Sequence, residues 1–248
     1  MSVAAIHAAP AATTGESGSR SAAFFDVDGT LVRATIAHYY AYLRRKHLPP
    51  VASQLWYAGF LIKCGYYLVI DRLDRSKFNH VFYRNYKGLA VDRVKGDAVD
   101  CFREVMLPRL LPAARDCVEA HRREGHRVVL VTGSLDFLIE PLARELRVDE
   151  VVAAALEERD DRFTGALATT PLSDVEKARR LSALAAARGI NLAVSHAYGD
   201  SIADLAMLEA VGFPHAVNPD ERLRAIAARR GWPVHVWRPR SASGDNGR

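Results

Sequence analysis

Cysteine is scarce in this chain. Only Cys64, Cys101 and Cys117 occur, far apart and without a Cys-x-x-Cys pair. An odd, scattered set points to neither a disulfide framework nor a zinc site. Reduced thiols fit a cytoplasmic location best. The nine histidines show no ligand spacing and read as structural. No charged start followed by an apolar block opens the chain, so residues 1–20 read as a disordered tail rather than a secretory signal, and residues 241–248 read the same way. No fixed-period repeat is visible. The net charge of +5 is carried by arginines scattered along amphipathic helices, a pattern of solvated faces that argues against a nucleic-acid partner.

Long apolar runs are also few. The most apolar stretch, Leu55 to Ile70, is with Val51 to Gln54 about long enough to cross a bilayer. Lys63 stands in its middle, at a cost of roughly 2.5–3.5 kcal/mol at the bilayer centre, and Gly59 and Gly65 weaken it further. A core helix is the plain reading. A peripheral membrane or dimer contact through residues 51–70 stays open, and with it a membrane-peripheral location.

What the chain does have is an alternation of short buried strands and helices. Ala22 to Val27, Val128 to Val131 and Val194 to Tyr198 are strand-like apolar runs, with two more at His215–Val217 and Pro233–Trp237. Helical spacing marks Ala113–Glu124, Leu135–Leu146, Asp174–Arg188, Ile202–Ala210 and Asp220–Arg230. The pattern predicts an α/β fold with a Rossmann-like parallel sheet covered by helices on both faces. Residues 34–104 break the alternation as helices without strands, an inserted helical cap. The core is then 21–33 plus 105–240.

Ligands of such sheets sit beyond the carboxyl ends of the strands, and the acids collect there. Asp26 and Asp28 in "FFDVDGTL" point to the same side of an extended chain. Two carboxylates so close ionise cheaply only beside a cation. A turn at Asp28-Gly29 explains one acid and not the other. Asp200 follows the third strand, and Asp204 comes four residues later. Helix capping by Asp200 accounts for the first alone. Asp26, a chain oxygen near Asp28, and Asp200 make a hard oxygen set suited to Mg²⁺. Thr132 and Gly133 offer a hydroxyl and an N–H where a helix begins, a place for a phosphate, while Ser134 reads as a cap. Ser173 and Glu176 spell a capping box, which puts Lys177 in the first helical turns, where the dipole disfavours a cation. It reads either as a solvent lysine or as one offered to a phosphate and a carboxylate.

Taken together, "DVDGT" at Asp26–Thr30, Thr132 after "VVLV", Lys177 and "GDSIAD" at Gly199–Asp204 resemble the haloacid dehalogenase-like hydrolase superfamily. The cap position and "AVNPD" at Ala216–Asp220 look like its phosphoserine-phosphatase-like branch, subfamily IB. The resemblance implies Mg²⁺-dependent hydrolysis of a small phosphomonoester. Asp26 would be the nucleophile that forms an aspartyl-phosphate, and Asp28 the acid and then base. Thr132, Gly133 and Lys177 would bind phosphate, Asp200 would be a metal ligand with Asp26 and Asp28, and Asp204 would support them. Phosphoserine phosphatases carry a glutamate where this chain has Thr35 and an asparagine where it has Ala203, which argues against phosphoserine. Histidinol phosphate, amino-alcohol phosphates and glycerol- or lysolipid-type phosphates stay open. So do phosphoryl transfer to an alcohol and a membrane-peripheral interaction protein with little turnover.

Overall fold

The computed structural model describes residues 21–73 and 75–238, so both expected tails, 1–20 and 241–248, lie outside the described residues. Among the described residues β1 (Ala22–Phe25) comes first, followed by helices: α1 (Ile36–Arg45), α2 (Pro50–Leu73), α3 (Arg75–Tyr83), α4 (Val91–Gly96), α5 (Ala98–Cys101) and α6 (Pro112–Arg123). Then come β2 (Arg127–Leu135), α7 (Asp136–Leu146), β3 (Glu150–Ala154), the hairpin β4 (Leu156–Arg159) and β5 (Arg162–Leu167), α8 (Val175–Arg188), β6 (His196–Gly199), α9 (Leu205–Glu209), β7 (Phe213–Val217), α10 (Glu221–Arg230) and β8 (Val234–His235).

Six strands form one parallel sheet in the order β3-β2-β1-β6-β7-β8. β1 lies inside it, and its four residues are fully buried, as a central parallel strand requires. Phe24 and Phe25 point to opposite faces, and each enters a separate apolar core. The expected α/β architecture is therefore the one observed.

Two differences concern what the alternation hid. β3 and the β4–β5 hairpin have no counterpart in the strand expectations. The hairpin turns at Asp160-Asp161, both at positive φ (50° and 56°), the geometry of a tight two-residue connection. It belongs with the helical insertion: Gly88 N–H donates to Phe163 O and Phe163 N–H to Leu89 O (2.8 and 3.0 Å). The packing partner of residues 34–104 thus includes a segment, 156–167, that lies well beyond their expected end.

α2 has two unlike faces. Phe60 and Tyr67 are buried in a cluster of rings with Tyr40, Trp56 and Phe82. Val51, Leu55, Ile62, Tyr66 and Val69 are exposed, Ile62 to 81%. Among the described residues no helix is long and apolar enough to cross a membrane.

Candidate active site

β1 ends at Phe25, and the ladder carries on one step further, where Asp26 N–H donates to Tyr198 O at 2.9 Å. The chain then folds back on itself through Leu31 N–H to Val27 O and Gly29 N–H to Val32 O. Gly29 is required at this turn. Its φ is +98°, and a Cβ there would stand 2.1 Å from Asp200 Oδ2, so only a residue without a side chain lets the two loops meet.

The expected acids do converge. Single carboxylate oxygens of Asp26, Asp200 and Asp204 lie within 4.8 Å of one another. Lys177, on the first turn of α8, reaches Asp26 Oδ1 and Asp204 Oδ1 at 2.6 Å each. It is 5% exposed, so the solvent-lysine alternative is excluded. Its placement owes nothing to a capping box. α8 starts at Val175 after Asp174 at φ 49°, with no side-chain cap, and the Asp174 N–H is held by Ala203 O at 2.9 Å. Asp200 is not a helix cap either. That place belongs to Ser201, and Asp204 Oδ2 accepts from Asp200 N–H, Ser201 N–H and Ser201 Oγ, all at 3.2 Å. Asp204, which capping left unexplained, thus ties that loop together.

Asp28 faces elsewhere. Tyr39 Oη donates to its Oδ1 at 2.7 Å and Ser134 Oγ to its Oδ2 at 2.5 Å. Ser134, expected to cap a helix, is a fully buried partner of this acid, and Leu135 precedes α7 instead. Thr132 is fully buried. Its Oγ1 lies 3.5 Å from Asp28 Oδ2 and accepts from Ser134 N–H. The cavity between these groups is lined by Asp26, Asp28, Gly133, Lys177, Asp200 and Asp204, together with Ile36, Asn79 and Leu172, but not by Thr132. Of that motif Gly133 lines the cavity, and Thr132 is turned toward Asp28.

Besides Ile36 and Tyr39 of α1, two groups of α3 reach this place from the helical insertion and escaped the sequence reading. Asn79 of α3 is 4% exposed and lines the cavity. Tyr83 Oη donates to Gly133 O at 2.6 Å. Neither carries a local signal, since only packing brings α3 here. Arg84, the residue after α3, is exposed and absent from the lining. A wider hollow of about 670 Å³ beside Arg33, Arg109 and Arg115 holds no acid pair and is not the reactive centre.

The electrostatics show which ion the cavity fits. Asp26 is raised to about 7: burial is the largest cause, Lys177 opposes it, and Asp204 and Asp28 add to it. Burial lowers Lys177, but Asp204 and Asp26 more than reverse this and hold it above its ordinary value. One ammonium is therefore too little positive charge for four carboxylates. A divalent cation would restore the ionised form of Asp26, and its donors would be hard oxygens, which suit Mg²⁺. The residues present fit that ion.

Residues 23–209 match the family model of haloacid dehalogenase-like hydrolases. A phosphoserine phosphatase of Mycobacterium tuberculosis is 32% identical over 227 residues, 88% of this chain and 71% of that one. The histidinol-phosphatase of Neisseria meningitidis is 27% identical over 237 residues, 87% and 98% of the two chains. A protein of unknown function from Bordetella pertussis Tohama I has the same fold, with a TM-score of 0.74 and 28% identity over 88% of this chain and 99% of that one. With the acids of "DVDGT" and "GDSIAD" brought around Lys177 as that family's order requires, the chain belongs to the haloacid dehalogenase-like hydrolases and stands among their phosphatases.

Proposed function

We propose that this protein hydrolyses a small phosphomonoester through a phosphorylated Asp26, with Mg²⁺ held by Asp26, Asp200 and a chain oxygen near Asp28. The observation that carries the reading is Lys177, buried and bonded at 2.6 Å to both Asp26 and Asp204. It fixes the carboxylate that attacks and offers a positive charge where a phosphoryl group would sit.

In the first step an Asp26 carboxylate oxygen forms a bond to phosphorus as the bond to the ester oxygen breaks. Asp28 gives its proton to the departing alcohol. In the second step Asp28 takes a proton from water, whose oxygen attacks phosphorus and releases phosphate and the free Asp26 carboxylate. Tyr39 and Ser134 orient Asp28 through both of its oxygens. Gly133 N–H and Lys177 hold the phosphoryl oxygens. Asp204 holds Lys177 and the 200–201 loop. Bound Mg²⁺ supplies charge neutralisation at the same oxygens.

The cavity has room for only one or two waters, about 30 Å³. Substrate entry therefore requires residues 34–104 to act as a movable cap, closed here through Asn79 and the Tyr83–Gly133 bond. Among the described lining residues Lys177 is the sole cation, and none of the others offers a positive charge to a substrate carboxylate. That favours histidinol phosphate, amino-alcohol phosphates or a glycerol-type phosphate over phosphoserine. It agrees with Thr35, which stands at the start of α1 bonded to His38 where an amine-binding glutamate would be needed.

A phosphate-release screen over these esters tests the proposal. Release should need Mg²⁺, stop with chelator and fall to background in Asp26→Asn, while the wild-type chain gains the mass of one phosphoryl group on rapid acid quench. Undiminished release by Asp26→Asn would refute it. The exposed face of α2 supports a further contact. The net charge of +5 favours an anionic lipid surface, at the inner side of a cytoplasmic membrane, over a second equally basic copy. Binding to anionic vesicles that is lost in Leu55→Asp/Ile62→Asp supports that reading; a stable dimer that ignores vesicles overturns it.

A further inference from the structure

The histidines gather at the edge of the sheet opposite to the acids. His196 is the first residue of β6, whose other end leads to Asp200, about 13 Å away at the usual rise per residue. His121 comes from the last turn of α6 and His126 from the turn into β2. Ring nitrogens of His121, His126 and His196 all lie within 4.8 Å of one another. His121 Nδ1 and His126 Nδ1 face each other at 2.7 Å, and Glu124 Oε2 stands 4.0 and 3.7 Å from the same two atoms.

We propose that His121, His126 and His196, with Glu124 as a fourth donor, form a binding site for a divalent transition ion of the zinc type, separate from the catalytic centre. Tetrahedral bonds of about 2.0–2.1 Å give donor–donor edges of about 3.3 Å, and the observed separations bracket that value. Three imidazoles and one carboxylate are borderline donors, which suit zinc, nickel or copper better than magnesium.

The surroundings prepare the donors for this role. His121 Nε2 contacts Tyr198 Oη at 2.8 Å. With Nε2–H donated to that oxygen, Nδ1 is the bare nitrogen, and it is Nδ1 that faces the cluster. Tyr198 Oη in turn bonds Cys117. His196 Nδ1 contacts His215 Nε2 at 3.1 Å, and His215 Nδ1 contacts His235 Nε2 at 3.1 Å, so a row of imidazoles behind the cluster fixes the His196 ring. Bound there, an ion ties the end of α6 and the entry to β2 to the start of β6, segments about 70 residues apart in sequence.

The untagged full-length chain, stripped with chelator and dialysed against one equivalent of Zn²⁺, should keep about one zinc. His126→Asn/His196→Asn, two half-buried positions, should keep less than a tenth of that with Mg²⁺-dependent phosphate release unchanged. Asp200→Asn should keep its zinc. Equal zinc in wild type and the histidine double variant, or none in the folded wild type, overturns the proposal. Co²⁺ decides the matter without a variant. The intense visible bands of four-coordinate cobalt support the site, and only the weak bands of a six-coordinate oxygen cage refute it.

Discussion

Replacing Lys177 with methionine keeps the length of the side chain and removes its charge. Two carboxylates then stay buried without the ammonium that bonded each at 2.6 Å; Asp26 is 5% exposed and Asp204 1%. Removing one partner of a buried ion pair costs about 3–5 kcal/mol. For a chain of this size each kcal/mol lowers the midpoint by about 2–4 °C, so melting of the metal-free protein should fall by roughly 6–20 °C. Adding Asp204→Asn removes one of the two stranded charges. The double variant should therefore be more stable than Lys177→Met alone, although Asp204→Asn by itself destabilises. Thermal and urea denaturation of the four proteins measure this cycle. Effects that add within about 0.5 kcal/mol, or a Lys177→Met midpoint within 2 °C of wild type, would refute the reasoning. Phosphate release by Lys177→Met should also fall, by at least about a thousandfold, because both nucleophile and phosphoryl group lose the same charge.

Ser134→Ala removes the 2.5 Å bond to Asp28 from a residue outside the cavity lining; kcat should drop about 10- to 100-fold, from about 1.5–3 kcal/mol for a bond to a charged group, with KM unchanged, and a rise in KM alone would count against it. Gly29→Ala sets a Cβ against Asp200, so Mg²⁺-dependent release should vanish while the fold persists by circular dichroism; full activity would show that the loops can separate freely. Burial, with neighbouring histidines, depresses His121 and His215 to about 4. The unfolded chain accepts these protons near pH 6.5 and the folded one resists them, so their stabilisation is lost as pH falls from about 6.5 to 4. Buried Asp26, raised to about 7, works in the opposite sense, so the readout is a difference. His215→Asn, with chelator present, should lose less midpoint than wild type between pH 7 and 5, and identical slopes would refute this.

The parts of the site legible in sequence share one property: each is announced by its own strand end. Asp26 and Asp28 follow an apolar run, Asp200 follows another, and parallel order alone puts them at one edge of the sheet. Lys177 was legible for a less secure reason, as a cation in a helical turn that disfavours it. The capping box that located it does not form, because Asp174 turns through positive φ. The inward aim of Lys177 is set by the two carboxylates and not by a cap. Ser134, Tyr39 and Asn79 gave no such signal. A serine before a helix resembles a cap until Asp28 is known to lie 2.5 Å away, and α3 meets Gly133 only through tertiary packing. The histidines show the same limit from the other side. Ligand spacing is sought within one segment, whereas His121, His126 and His196 come from a helix end, a turn and a strand start. Local pattern identifies chemistry that one element supplies; chemistry assembled from several elements becomes visible only when the sheet order is known.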